Sequence, residues 1–206
     1  MYPLVDTGLL AGRGFPVEPF AEAILDAGAR LLQLRHKDPY TRDDFAMALR
    51  LAALCESAGA LLVVNDRADI ARLTGAALHL GQDDLPVSAA RKLLGPNATI
   101  GLSTHNETQV RAAASDPVNY LALGPLFPTA SKQNPDPVVG TAEFARLRSI
   151  TSRPLVAIGG ITRANALQAI VAGADSVAVI SDLIPGELTS RAVRARTEEW
   201  LQLLKT

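Results

Sequence analysis

Five consecutive residues, Gln33-Leu34-Arg35-His36-Lys37, follow a short apolar run and include two cations. In an extended segment alternate side chains point to opposite sides, so Gln33, Arg35 and Lys37 project together. Leu34 and His36 then face the other way, toward a packed helix. Two cations and an amide on one side favour an anionic ligand between them. The pattern predicts an anion-binding site, and a set of surface ion pairs at a strand end is the alternative.

Carboxylates follow two later apolar runs, as Asp66 after Asn65 and as Asp84 after Asp83. Mg²⁺ takes one or two protein carboxylates and shares its remaining positions with phosphate oxygens and water. Beside the basic residues, Asp66 and Asp84 therefore predict a Mg²⁺ ion that holds a polyphosphate. The alternative is that each aspartate caps the helix that follows it.

Hydroxyl groups and a lysine complete the polar candidates. Ser103 lies just before Thr104-His105, where its hydroxyl would contact a phosphate or cap the next helix. His105 is either a general base or a structural histidine. No acid–base–nucleophile triad can be assembled from the sequence, which disfavours a hydrolase. Lys132, among small hydroxyl residues, suggests an anion clamp, and a solvated loop lysine is the alternative.

The polar clusters all end apolar stretches that recur at nearly even spacing, with helical periodicity between them. Strands are predicted near 2–5, 30–35, 61–65, 77–80, 98–102, 119–123, 154–158 and 175–180. Helices are predicted near 17–28, 42–58, 67–74, 86–94, 106–115, 141–149, 162–172 and 187–204, with Thr41, Ser88 and Thr162 as N-caps. Strands rich in Val, Leu, Ile and Ala without alternation are typical of parallel strands buried on both faces. The repeats predict the α/β class and a single-domain (β/α)8 TIM barrel over residues 1–206.

Such barrels carry their chemistry at the C-terminal ends of the strands, where the polar clusters stand. Gly159-Gly160 and Ile180-Ser181 follow strands seven and eight, a common place for backbone amides to hold a phosphate. A tight turn is the alternative reason for Gly160. The segment near 127–141, with three prolines, is too irregular for a helix or strand and is predicted to be an active-site loop.

The bulk composition excludes several classes of protein. The formal net charge is −1, so neither nucleic acid nor an anionic membrane surface is an expected partner. No apolar run approaches the roughly 18 residues of a membrane span, and residues 1–6 read as a strand rather than a signal peptide. The only cysteine, Cys55, excludes an intrachain disulfide or a thiolate zinc cluster and is expected to be buried and inert. We expect a cytoplasmic protein acting on small molecules, and the sequence allows a homo-oligomer.

Taken in order, these motifs resemble those of the thiamine-phosphate synthase family, whose members are (β/α)8 enzymes of thiamine biosynthesis. The similarity extends over essentially the whole chain and rests on 33–37, 65–66, 79–84, 101–105, 124–132, 159–161 and 180–181. One departure is Asp182, which stands where the family usually has a small residue. As a set, the motifs are far more specific than any one of them.

The resemblance implies a transferase that condenses 4-amino-2-methyl-5-(diphosphomethyl)pyrimidine with a thiazole phosphate, giving thiamine phosphate and pyrophosphate. Pyrophosphate would leave first, and the thiazole nitrogen would attack the resulting pyrimidine-methyl cation. The implied ligands of the pyrimidine diphosphate are Gln33, Leu34, Arg35, His36, Lys37, Asn65, Ser103 and Lys132. The implied ligands of Mg²⁺ are Asp66 and Asp84, and those of the thiazole phosphate are Thr129, Ala130, Ser131, Gly160, Ile180 and Ser181. Catalysis would fall to Arg35, Lys37, Ser103 and Lys132.

Two other functions remain in view. A thiazole tautomerase, an isomerase of the same superfamily, would use His105 for proton transfer. A non-catalytic barrel that binds a phosphorylated metabolite is the second, because barrels host many functions. Neither needs the complete set of Asp66, Asp84 and Lys132, which this sequence retains.

Overall fold

A computed structural model describes residues 1–129 and 136–205. The strands are β1 Tyr2–Asp6, β2 Leu31–Arg35, β3 Leu61–Asn65, β4 Ala77–Leu80, β5 Ile100–Thr104, β6 Tyr120–Leu123, β7 Leu155–Ala157 and β8 Ser176–Val179. The helices are α1 Thr7–Ala11, α2 Val17–Asp26, α3 Arg42–Ser57, α4 Ala68–Thr74, α5 Val87–Leu94, α6 Glu107–Ala114, α7 Gly140–Arg148, α8 Ala166–Val171 and α9 Ser190–Leu203, with a 3-10 helix at Ser181–Leu183.

The strands follow one another in chain order, β1 to β8, around a closed barrel. The ladders β1–β2, β2–β3 and β4 through β8 are parallel. Helices follow the strands, as the sequence pattern predicts. The predicted α/β class and the (β/α)8 architecture are confirmed.

Three local features differ from the sequence-based expectation. β5 starts and ends two residues later than predicted, so Ser103 lies inside the strand rather than after it. The short helix α1 was not predicted, because five residues are too few to show a helical period. Ser88 and Thr162 are not N-caps, since Pro86 and Asn165 hold those positions at α5 and α8.

The chain divides into two compact units, and the first comprises residues 1–77 and 180–206. It contains β1 to β3, α1 to α4, the 3-10 helix and α9. Its core includes Leu32, Leu51 and the indole of Trp200, all fully buried. Helices α2 and α9 pack against each other. Trp200 therefore serves packing within this unit.

The second unit comprises residues 78–179. At the N-terminal ends of its strands, two arginine side chains hold the loops together. The Arg91 guanidinium donates to the Pro117 carbonyl at 2.7 Å and to the Asn119 Oδ1 at 3.0 Å. Arg153 donates to the Asp116 carbonyl at 3.0 Å. Both arginines line an open cleft of about 550 Å³. Their donors satisfy loop carbonyls, so this end of the unit is built for stability.

Cys55 is buried in α3, and burial raises the pKa of its thiol to about 11. A thiol with so high a pKa holds almost no thiolate at neutral pH, which agrees with an inert packing role.

In the part of the chain that the structure describes, no helix has both the length and the apolar character that crossing a membrane requires.

The N-terminus of α3 carries a capping box, as the position of Thr41 predicts. Thr41 Oγ1 accepts a hydrogen bond from the Asp44 amide at 3.3 Å, and Asp44 Oδ2 accepts one from the Thr41 amide at 2.9 Å. We expect Thr41→Ala to lower the free energy of unfolding by about 1 kcal/mol, because the hydroxyl acceptor is lost. Thr41→Ser keeps the hydroxyl and should stay close to the parent protein. Urea denaturation at neutral pH measures both variants, and equal losses in the two would contradict the capping role.

Candidate functional site

Arg35 ends β2 and forms an ion pair with Asp6, which ends β1. The parallel register sets the two residues side by side. Both side chains are largely shielded, with 22% of Arg35 and 12% of Asp6 exposed. The other oxygen of Asp6 accepts the Leu9 amide at 2.9 Å and caps α1. The first cation of the predicted anion site is thus held in place by a carboxylate of the neighbouring strand.

Lys37 has its own carboxylate partner, since its Nζ lies 2.5 Å from Asp66 Oδ2. The lysine side chain is 54% exposed, whereas that of Asp66 is 19% exposed. An ion pair with one member in solvent is worth little, typically less than about 1 kcal/mol. The ammonium can therefore turn to another anion at small cost. The contacts seen are the ion pairs at a strand end that were predicted as the alternative. These ion pairs do not prevent Arg35 or Lys37 from binding an anionic ligand as well.

Asp66 has an unusual backbone conformation. Its φ of +66° is the only positive value at a non-glycine residue within the described part of the chain. Aspartate tolerates the left-handed region better than most residues, and such conformations concentrate at functional sites. Helix α4 has Arg67 as its N-cap, with no capping bond from a side chain. The alternative that Asp66 caps this helix is wrong.

The two uncharged members of the cluster are buried. Gln33 is 2% exposed and donates from Nε2 to the Tyr2 hydroxyl at 2.6 Å. Asn65, the last residue of β3, is 7% exposed. The Leu34 side chain is fully buried. Gln33 and Asn65 are thus buried amides, one within β2 and the other at the end of β3.

His36 points toward the helices, as strand alternation predicts. Its Nδ1 lies 2.9 Å from Thr7 Oγ1, and its ring packs edge-on against Tyr40 at 4.7 Å between centroids. Its Nε2 lies 3.8 Å from Asp44 Oδ2, which is beyond hydrogen-bonding range. These contacts give His36 a packing role, and its predicted part in substrate binding stays a prediction.

In the second unit, Asp84 closes the turn between β4 and α5. Its Oδ2 accepts the Gly81 amide at 2.6 Å. The N-cap of α5 is Pro86, so Asp84 does not cap that helix, and this alternative is also wrong. Within the same turn, Gln82 donates from Nε2 to the Ser103 carbonyl at 2.6 Å. The turn that carries Asp84 is thereby attached to β5.

The chemistry of Asp66 and Asp84 fits a hard divalent cation. Both supply carboxylate oxygens, the ligands that Mg²⁺ prefers, and neither is used as a helix cap. Within residues 1–129 and 136–205, no three acidic, histidine or cysteine side chains form a ready-made metal-binding group. A Mg²⁺ ion bound at either aspartate would therefore take much of its coordination from phosphate and water.

Sequence reasoning missed a hydrogen-bonded chain that includes Ser103. His79 is 6% exposed, and its Nε2 lies 2.8 Å from Ser103 Oγ while its Nδ1 lies 2.9 Å from the Tyr120 hydroxyl. The imidazole and phenol rings stack at 5.5 Å between centroids. A neutral imidazole has one donor and one acceptor nitrogen, so each hydroxyl is oriented by the ring. His79 Nδ1 contacts a tyrosine hydroxyl, whereas a hydrolase triad places a carboxylate at that nitrogen.

Gly101 makes this chain possible. It is paired with His79 on one side and with Tyr120 on the other, so the three residues form one layer across β4, β5 and β6. A Cβ at Gly101 would lie 2.0 Å from Tyr120 Cζ. The two rings meet across the strand only because the middle residue has no side chain. A glycine inside a buried strand is the sequence signal that marks such a close approach.

His105 is engaged by the main chain. Its Nδ1 lies 2.5 Å from the Gly124 carbonyl oxygen. Because a carbonyl only accepts, Nδ1 carries the proton. The Asp136 carboxylate lies 3.6 Å from the same nitrogen. The structural interpretation of His105 is favoured over that of a general base.

Gly160 is required by packing. Its φ is +67°, and a Cβ there would lie 2.5 Å from the Pro128 carbonyl oxygen and 2.7 Å from that of Phe127. The turn after β7 therefore fits closely against the start of the predicted loop. Asn165 donates from Nδ2 to the Gly160 carbonyl at 2.9 Å. These contacts explain the glycine without a ligand, and its predicted contact with a phosphate stays a prediction.

The remaining predicted phosphate contacts lie in two short segments, 129–132 and 180–181. Ile180 directly follows β8, and the exposed Ser181 begins the 3-10 helix. The next residue, Asp182, accepts a hydrogen bond at its carbonyl from Arg196 at 3.0 Å. Thr129 is half-buried at the start of the predicted loop. Three predicted site residues fall outside the described part of the chain, namely Ala130, Ser131 and Lys132.

Comparison with known proteins identifies the family. The model of the family described as thiamine monophosphate synthase matches residues 1–183. The chain belongs to the thiamine monophosphate synthase family. A family member from Koribacter versatilis, a thiamine-phosphate synthase, is 46% identical over 90% of this chain and 85% of its own. Another from Chloroflexus aurantiacus, with the same name, is 39% identical over 94% of this chain and 89% of its own.

A solved structure supports the same assignment to the thiamine monophosphate synthase family. The thiamine phosphate pyrophosphorylase from Pyrococcus furiosus superposes with a TM-score of 0.83 at 29% identity. The superposition covers 98% of this chain and 96% of that one. The resemblance inferred from the sequence motifs is confirmed.

A methyl group at position 101 tests whether the approach of His79 and Tyr120 depends on the missing side chain of Gly101. We expect Gly101→Ala to destabilise the protein by about 1–3 kcal/mol, because the new methyl group must displace the Tyr120 ring. Gly186→Ala is the matched control, since among residues 1–129 and 136–205 no atom apart from those of its chain neighbours lies within 4 Å of a Cβ there. Denaturant unfolding measures both. Equal stabilities for the two variants would contradict the packing argument.

Proposed function

We propose that this chain is a transferase that joins 4-amino-2-methyl-5-(diphosphomethyl)pyrimidine to a thiazole phosphate, forming thiamine phosphate and pyrophosphate. Family membership supports the reaction class. The observation that carries the proposal is the pair formed by Lys37 and Asp66, 2.5 Å apart at the ends of neighbouring strands. It combines a mobile cation with a carboxylate that no helix uses as a cap, which are the components of a metal–diphosphate site.

Asp66 and Asp84 are the proposed ligands of Mg²⁺. When bound, Mg²⁺ would neutralise charge on the diphosphate and so make pyrophosphate a better leaving group. Lys37, released from Asp66, would contact a diphosphate oxygen. The low cost of breaking an exposed ion pair supports this exchange of partners.

The departing pyrophosphate gains negative charge, and the proposed residues oppose that charge by position. Arg35 would donate to it from a guanidinium already held at one side by Asp6. Lys132 would supply a second cation from the predicted loop. Gln33 and Asn65 would add neutral donors from buried positions.

The carbon left behind is a pyrimidine-methyl cation, and the thiazole nitrogen attacks it. Water would react with this cation, so the reaction requires that solvent be excluded. We propose that the loop near 127–141 excludes it. The Ser103 hydroxyl, oriented by His79, would bind the pyrimidine diphosphate. No residue needs to form a covalent intermediate, which agrees with a serine whose histidine partner contacts a tyrosine hydroxyl at its other ring nitrogen.

The thiazole phosphate would be held by Thr129, Ala130, Ser131, Gly160, Ile180 and Ser181, as the resemblance implies. Leu34 and His36 complete the proposed surroundings of the pyrimidine diphosphate. The alternative of a tautomerase is not favoured, because His105 is engaged by the Gly124 carbonyl. A passive metabolite-binding barrel is not favoured either, because the relatives are named as synthases. A cytoplasmic location, a single-domain chain and self-association stay predictions.

The role of Asp66 can be separated from its backbone conformation. Asp66→Asn keeps the shape and tolerates a positive φ but loses the charge. We expect its kcat/KM for condensation to fall about 100-fold or more, a loss of the size seen when a group that stabilises transition-state charge is removed. Coupled detection of released pyrophosphate measures the rate.

Asp69→Asn is the matched control for this experiment. It removes the same charge three residues away, where Asp69 is 54% exposed and pairs with Arg67. We expect it to stay within about twofold of the parent, since surface substitutions of this kind have small effects. Similar losses in the two variants would show that net charge, rather than a metal ligand, explains the effect.

Removal of the divalent ion gives a second test. We expect condensation to stop in excess chelator and to return when Mg²⁺ is added beyond the chelator concentration, because the proposed site holds a hard cation through oxygen ligands. The measurement is thiamine phosphate formed over time. Full activity in chelator would contradict the proposed roles of both aspartates.

A further inference from the structure

We propose that Asp6 is a positioning residue, which fixes the Arg35 guanidinium for its diphosphate ligand. This inference rests on the proposed function, because it assigns Arg35 to the diphosphate. Asp6 itself touches no substrate in this scheme. It acts through Arg35, and its own orientation is set by the first turn of α1.

Each oxygen of Asp6 has a separate task. Oδ1 accepts the Leu9 amide at 2.9 Å, so the carboxylate is fixed by main chain rather than by another mobile side chain. Oδ2 accepts a close hydrogen bond from Arg35 Nη1. The side chain is 12% exposed, which limits competition from water. Because Asp6 is bonded both to the backbone of α1 and to the guanidinium, the position of α1 determines the position of Arg35.

Arg35 keeps unused donors after it has paired with Asp6. A guanidinium has five N–H groups in a rigid, planar arrangement. Within residues 1–129 and 136–205, its hydrogen bond to Asp6 is the only one it makes. The remaining donors can bind a phosphate in the bidentate manner for which arginine is suited. Holding one edge of the group removes rotational freedom before the ligand arrives.

The contrast with Lys37 shows why Arg35 needs such a support. Lys37 is 54% exposed and its pair with Asp66 is easily exchanged. Arg35 is 22% exposed, and an unpaired cation at that depth would bear a desolvation cost. Asp6 therefore offsets the charge of Arg35 in the free protein and also sets its direction. An arginine without this partner would have to be ordered by the ligand itself.

A double-mutant cycle tests the inference with inorganic pyrophosphate and Mg²⁺ as the probe. The parent, Asp6→Ser, Arg35→Gln and the double variant are compared by titration calorimetry. Serine keeps an acceptor for the Leu9 amide, so α1 retains a cap. We expect Asp6→Ser to bind pyrophosphate about tenfold more weakly, a size typical of coupling between contacting residues. In the Arg35→Gln background the same change should alter binding by less than about twofold.

The outcomes separate the two proposals. If Asp6→Ser weakens binding equally in both backgrounds, Asp6 does not act through Arg35, and the inference is overturned. Asp6→Asn keeps the capping oxygen and lacks the charge, so it is the second variant in case Asp6→Ser does not fold. Unchanged pyrophosphate binding in folded Asp6→Asn also overturns the inference. If the parent neither binds pyrophosphate nor condenses the substrates, the proposed function fails and the inference falls with it.

Discussion

The candidate site depends on carboxylates that hold cations in place at the ends of β1, β2 and β3. Arg35 and Lys37 would repel each other and lose solvation if they stood alone near the sheet. Asp6 and Asp66 remove that cost, and they do so differently. The pair of Asp6 and Arg35 is shielded and anchored to main chain, whereas the pair of Lys37 and Asp66 reaches solvent. One cation is therefore fixed in direction and the other can change partners.

A different constraint governs the second unit, where an absent side chain organises the strands. Gly101 lets His79 and Tyr120 approach each other across β5 and so orients the Ser103 hydroxyl. Gly160 likewise allows a close approach at the turn after β7, where the backbone packs on carbonyls at the start of the loop that follows β6. Both glycines are positions of close approach, and any larger residue must move a neighbour. Precise placement of polar groups here follows from packing rather than from charge.

The proposed chemistry asks little of any nucleophile and much of electrostatics. Departure of a diphosphate is limited by developing negative charge, so positioned cations and amide donors contribute more than proton transfer would. This agrees with the histidines of the structure. His36 packs toward helices, His105 donates to a carbonyl, and His79 bridges two hydroxyls. Each has a structural explanation, and the proposed mechanism needs none of them as a base.

The sequence by itself determined the strands, most helices and the barrel, because hydrophobic periodicity and polar strand ends are local signals. It also determined the family, through motifs such as residues 33–37. Local signals did not reveal α1, which is too short to show a period. They also placed β5 too early in the chain, so that Ser103 was predicted to lie outside the strand. Only the tertiary structure decided that Asp66 and Asp84 are not helix caps. It alone brought together Asp6 with Arg35 and His79 with Tyr120, because lateral contacts between parallel strands join residues separated by a whole strand–helix repeat or more.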